Sequence, residues 1–204
     1  MGGQTHFNKI AIPMPIKSSL PHVLLVLAAC AVSLTTARAE SFWTNISAGP
    51  NEWTNSANWS NGVPNGVNQV ATFNASAFSF AGTDVTVNVS SNISLGGLYI
   101  ASAGGGSGSL KLTGSGTITF DGSQYGGASS MQVNLNETME NNLVVSNTSG
   151  VSITASSKLW VKGAISGPGG IQRDSGILYL GSNNTFSGDL TVGNGGSFLA
   201  TTTD

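Results

Sequence analysis

Charge is scarce in this chain. Of 204 residues only 8% are Asp, Glu, Lys or Arg, against roughly 25% in an average globular protein. Such a low charge density excludes a polyelectrolyte-like disordered chain. Seven Lys and Arg in all are too few to neutralise a run of phosphates, which excludes a nucleic-acid binder. Cysteine occurs once, at Cys30, and histidine twice, at His6 and His22. From residue 40 onward neither type occurs, so that part of the chain has no disulfide, no nucleophile–histidine pair and no His/Cys zinc set. Its basic residues are Lys111, Lys158, Lys162 and Arg173, set against nine acidic ones, a balance of −5. What the chain has in quantity is glycine, 28 residues, together with Ser, Thr and Asn. That composition favours many turns and short strands.

The first 39 residues have a different character. Lys9 and Lys17 precede the apolar run "VLLVLAACAVSL", Val23 to Leu34, and "ARA" follows with small residues at Ala37 and Ala39. This is the three-part layout of a secretory signal, with cleavage expected after Ala39. The apolar run is shorter than the about 20 residues a membrane-spanning helix needs. "LAAC", Leu27 to Cys30, resembles the box at which bacterial lipoproteins are cut and acylated on cysteine. Either processing route sends the protein out of the cytoplasm, to the medium, the cell surface or the outer membrane. The mature chain is expected to have no membrane span.

Residues 40–66 are aromatic and turn-rich and hold Trp43, Trp53 and Trp59. From Val67 the texture is uniform: "QVATF", "VTVNV", "GLYIA", "SLKLTG", "TITFDG", "MQVNL", "LVVSN", "VSITA", "KLWVKG", "GILYLG", "LTVGN" and "SFLA" follow one another. Each alternates apolar and polar residues and is bounded by Gly, Asn, Asp or Ser, the pattern of strands with one buried face. No amphipathic helix is evident after the leader. "GSGSLKLTGSGTITFDGS", Gly106 to Ser123, matches "GIQRDSGILYLGSNNTFSG", Gly170 to Gly188, in rhythm. A degenerate repeat of about 20 residues suits a β-solenoid, and 165 residues predict roughly eight coils. The expected fold is therefore all-β: a right-handed parallel β-helix or β-solenoid over 67–204, an N-terminal aromatic cap over 40–66, and a signal-peptide helix over 1–39. An uncapped last coil would invite end-to-end self-association.

The stretch "GPGGIQRDSGILYLGSNNTFSGDLTVGNGGSFL" resembles the autotransporter-associated β-strand repeat, also called the passenger-associated transport repeat. "GPGGI" opens it, "LYLGSNNTFSG" carries the strand and the Asn-Thr-Phe-Ser-Gly step, and "LTVGNGGSFL" closes it. Arg173 stands where that repeat usually has lysine, and Ser175 takes a small turn position. The opening "ANWSNGVPNG…ATF" is similar to the start of many extracellular proteins that carry the repeat. The resemblance implies a secreted or surface-exposed passenger. Gly170, Leu178, Leu180, Asn184, Thr185, Phe186, Gly188 and Val192 carry the motif. Asn184 and Thr185 suit a tight turn, Phe186 an apolar plug, Gly188 a permissive corner, and Leu178, Leu180, Leu190 and Val192 a core-facing alternation.

No catalytic residue, metal ligand or cofactor site is expected. Glycoside hydrolysis needs two carboxylates facing one bond, and Glu137 with Glu140, or Asp174 with Asp189, are the pairs the sequence offers. Solvated turns are the expected place for all four. Trp43, Trp53 and Trp59 suit a plug on the first coil, or alternatively a platform for sugar rings. The expected work is structural or adhesive, with surface polysaccharide or other surface components as partners. The alternative is a carbohydrate-binding or carbohydrate-active protein on the same scaffold.

Overall fold

A computed structural model describes residues 40–45, 47–74, 84–101, 109–122, 128–134 and 136–200. Ala37, Ala39 and Cys30, with the whole leader, lie outside the described residues. Every pairing between named strands is parallel. The one helical element among the described residues is a 3₁₀ turn, Ser56–Asn58.

The chain winds in coils, and each coil adds one strand to each of three parallel ladders. The first coil supplies β1 (Glu40–Phe42) and β2 (Asn51–Glu52). The second supplies β3 (Val70–Asn74), β4 (Val85–Asn88) and β5 (Ile93–Leu95). The third supplies β6 (Gly97–Ala101), β7 (Leu110–Thr113) and β8 (Ile118–Phe120). The fourth supplies β9 (Ser129–Val133), β10 (Glu137–Met139) and β11 (Leu143–Val145). In the fifth, β12 (Val151–Val161) serves the first two ladders in turn and β13 (Ile165–Ser166) the third. β14 (Ile171–Leu180) and β15 (Leu190–Ala200) repeat the long double strand. The described residues thus form six coils and two sides of a seventh, an all-β, solenoid-like domain.

Period-two alternation builds the interior. In the first ladder the register stacks Ser41, Ala71, Leu98, Met131, Ile153, Arg173 and Val192 in one column. The second ladder stacks Val87, Leu112, Met139, Val161 and Leu180. The third stacks Ile93, Ile118, Leu143 and Ile165. Nearly all these apolar side chains are fully buried and belong to one continuous cluster. Val192 differs from the sequence expectation: it is 46% exposed. Its column position is the predicted one, but no described coil stacks on it.

Coil length explains the shortfall against eight coils. The steps Val151 to Ile171 and Ile171 to Leu190 are 20 and 19 residues, as the repeat predicted. The steps Val70 to Gly97 and Gly97 to Ser130 are 27 and 33, because those coils carry insertions between strands. The "QRDSG" segment also departs from a turn. It runs inside β14 with a register shift between Arg173 and Ser175, and the left-handed bend falls on Gly176, at φ +76°.

Asparagine fastens coil to coil where the third ladder begins. The side-chain oxygens of Asn65, Asn92 and Asn142 accept from the backbone N–H of Ser94, Thr117 and Ala164, each one coil on, at 2.9, 2.9 and 3.0 Å. Asn184 makes the same bond in the reverse direction, to the N–H of Ile165, at 2.8 Å.

Gly167 turns a corner at φ +109°, where a Cβ would overlap the Val145 carbonyl of the coil below. Gly167→Ala is expected to destabilise the fold by about 2 kcal/mol. Gly62, at φ +81° with nothing within 4 Å of its would-be Cβ, offers the control: Gly62→Ala carries only backbone strain, about 1 kcal/mol. Urea midpoints of the two variants check the difference; equal losses would remove the steric argument.

Candidate functional site

The three N-terminal tryptophans pack together inside the first coil. Trp43 meets Trp59 edge-on at 5.0 Å and 86°, Trp53 meets Trp59 at 4.8 Å and 62°, and all three rest on Phe73. Their indole N–H groups donate to backbone carbonyls: Trp43 to Asn45, Trp53 to Pro64 at 3.1 Å, Trp59 to Trp53 at 2.7 Å. At 1%, 0% and 5% exposure they present no ring face for a sugar to stack on. The sugar-platform expectation for Trp43, Trp53 and Trp59 is corrected on that ground.

The repeat-motif residues take structural places. Leu178 and Leu180 are buried, and Phe186 packs partly buried against the core cluster. The N–H of Thr185 donates to the Ile165 carbonyl at 2.8 Å, continuing the third ladder into the sixth coil. Asn184 also donates to the Ser182 carbonyl at 2.7 Å. Gly170 and Gly188 lie against each other, where a Cβ on Gly188 would overlap the Gly170 backbone.

The carboxylate pairs come apart. Glu137 and Glu140 are separated by an odd number of residues in extended chain, so they face opposite sides of the second ladder. Glu137 points inward at 1% exposure, accepting from the Leu110 N–H at 2.5 Å, and its second oxygen has no partner. Burial pushes its pKa up to about 8; the Leu110 hydrogen bond works against this and the charge of Asp84 works with it. Glu140 points outward and takes an ion pair from Lys111 at 2.9 Å and a hydrogen bond from Thr113 at 2.9 Å. The Lys111 contact foremost holds Glu140 below the usual carboxylate range. Asp189 is level with Gly170, its carbonyl accepting from Ile171, whereas Asp174 lies four residues along the strand, about 13 Å away at strand rise. It is engaged by Ser152 and Gln172. Neither pair flanks a common bond.

Sequence reasoning did not anticipate Arg173 as an interior residue. Fully buried, it donates from one terminal nitrogen to the Ile153 carbonyl at 3.0 Å, while its other nitrogens have no hydrogen-bond partner. Burial lowers its pKa, and Asp174 opposes the shift.

Two outward features remain. One is an open polar groove of about 430 Å³ lined by Thr148, Ser149, Gln172, Asp189 and Thr191 among others. The other is the outward side of the second ladder. There "KLWVK" points Lys158, Trp160 and Lys162 out and Leu159 and Val161 in. Trp160 is 39% exposed and stacks on Tyr179 of the next coil at 3.9 Å and 8°. Lys111 shares the face, two rungs below Trp160, with Thr138 between them. All three lysines of residues 40–204 therefore stand on one face.

Among the described residues there is no cluster of three or more His, Cys, Asp or Glu and no helix long and apolar enough to cross a membrane. No protein-family model, no curated protein and no solved structure matches the chain.

Proposed function

We propose that residues 40–204 form a structural or adhesive module of the autotransporter-passenger type, exported by the leader and held outside the cell or at its surface. The observation that carries this reading is the division of labour along every strand. Inward positions seal a continuous apolar column, and the turns fasten coil to coil through Asn–backbone bonds. Chain segments so committed to stacking suit a rod that displays a surface. On this reading the coils wind right-handed, the Trp43–Trp53–Trp59 cluster closes the first coil as a cap, and the module performs no catalysis. The separation of Glu137 from Glu140, inside and outside one strand, supports the last point against a hydrolase or lyase on the same scaffold.

Cell fractionation with external protease on intact cells tests the location. The expected result is a processed chain at the surface or in the medium; a full-length chain retained in the cytoplasm would overturn it. Incubation with polysaccharides is expected to release no reducing ends and no unsaturated products. Sustained turnover would overturn the non-catalytic reading.

A further inference from the structure

We propose that the outward face of the second ladder around Trp160 binds an acidic polysaccharide, with uronate rings lying between the indole and the flanking lysines. This deepens the adhesive reading above and rests on it.

Four observations converge. First, Trp160 is exposed while the three other tryptophans are buried. A half-exposed aromatic held on a rigid strand is the kind of group that anchors a ligand. Second, only one indole face is used by the protein. Tyr179 covers it from the next coil, nearly parallel. The register places the small Thr138 on the other side, with Lys111 one rung beyond. The opposite indole face therefore looks onto a step about one rung, or 4.8 Å, wide, floored by Thr138 and bounded by Lys111. A flat ring with an apolar C–H face fits against that indole surface.

Third, cationic groups bracket the step. Lys158 and Lys162 are two residues to either side of Trp160 on the same face, about 7 Å along the strand, and both are exposed. Lys162 is held only loosely by Glu140, at 3.7 Å. Fourth, the chain's charge is distributed unevenly. Residues 40–204 carry a balance of −5, yet every lysine lies on this face. Glu140 is the acid interleaved with them, and it is paired with Lys111. A polyanion would be repelled by most of this surface and attracted here, which fixes where it docks. A neutral sugar would use the indole alone, and a nucleic acid would find too few cations.

The test uses the mature protein, oligogalacturonate and its methyl-esterified form, which keeps the rings and removes the charge. Titration is followed by calorimetry and by indole fluorescence, with circular dichroism as the folding check. Binding of oligogalacturonate is expected, at least ten-fold weaker for the methyl ester and falling with added salt. Trp160→Ala is expected to weaken it at least ten-fold, and the double variant Lys158→Gln/Lys162→Gln to weaken it and flatten the salt dependence. Trp160 lies on the surface, so both variants keep the wild-type dichroism. No binding, equal binding of the methyl ester, or unchanged affinity in Trp160→Ala would each overturn the proposal. So would association with anionic lipid vesicles in place of the polymer. Any of these failures leaves the export and turnover results of the preceding section untouched, so the two readings fail separately.

Discussion

Glu137→Gln is expected to make the protein more stable at neutral and alkaline pH, and the gain is expected to vanish in acid. The wild-type carboxyl sits inside the solenoid among apolar neighbours, with one oxygen on the Leu110 N–H and the other unpartnered. Burial is the largest influence on it and raises its pKa from 4.5 to about 8. The native state therefore binds a proton that the unfolded chain releases in the window between those two values. Below pH 4.5 both states are protonated and the buried group carries no ionisation penalty. As pH rises toward 8 the unfolded state is favoured progressively, at 1.36 kcal/mol per pH unit. Above about 8 the native carboxyl ionises too and the penalty levels off. At pH 7 the wild-type penalty is on the order of 3 kcal/mol.

Glutamine is nearly isosteric and keeps an oxygen for the Leu110 N–H, but it does not ionise. Urea denaturation of both proteins from pH 4 to 9 checks this. The difference should open between pH 5 and 8 and favour the variant, with a plateau beyond. A pH-independent difference, or a destabilised variant across the whole range, would show that the wild-type carboxyl is solvated or paired in the native state.

Glu137 also shows where the sequence was legible and where it was not. The strands around it could be read directly: "LKLT", "TITF" and "LVV" alternate as written, and the structure turns Leu110, Leu112, Ile118, Phe120, Leu143 and Val145 inward. Stacking order followed from the repeat of about 20 residues in the last coils. Glu137 and Arg173 broke the pattern because alternation assigns a face from the neighbours, while a charged residue argues for the opposite face. Backbone geometry decides: once Met139 is inward, Glu137, two residues before it, must be inward too. Arg173 is likewise in register with Ile153.

The strands "VSITA" and "KLWVKG" were both visible, but not their union in β12, which turns from one ladder to the next through irregularities at Thr154. The asparagines had a signal that composition obscured. Asn92 precedes "ISL" and Asn142 precedes "LVV", each one residue before an inward apolar position. The same types occur so often in Asn-x-Ser/Thr triplets that those two do not stand apart. Trp160 was hidden differently. Four tryptophans look alike in a sequence, and clustering drew attention to the three that are buried. Alternation within "KLWVK" already placed Trp160 outside.

The contrast between buried and exposed tryptophan leads to the second large effect: Trp53→Ala is expected to destabilise the N-terminal coil by about 4 kcal/mol. The side chain is fully buried against Trp59 and Phe73. Its removal leaves a large void, and the Pro64 carbonyl loses the indole N–H that it accepts at 3.1 Å. Relaxation cannot close that void cheaply, because Trp43 and Trp59 are fixed by their own bonds to backbone carbonyls. Each coil of a solenoid contacts mainly its neighbours, so the loss should stay local. Limited proteolysis is expected to open the region of residues 40–66 first, while a fragment containing the coils from Ser129 onward persists. Denaturation should show an early transition absent from the wild type. Trp160→Ala, by comparison, empties no interior space and should change the midpoint little while changing polymer affinity. The two substitutions remove the same side chain from one protein and should separate stability from recognition. If Trp53→Ala unfolded at the wild-type midpoint, the aromatic cluster would not be holding the first coil. If Trp160→Ala lost several kcal/mol, the outward ladder would be part of the core after all.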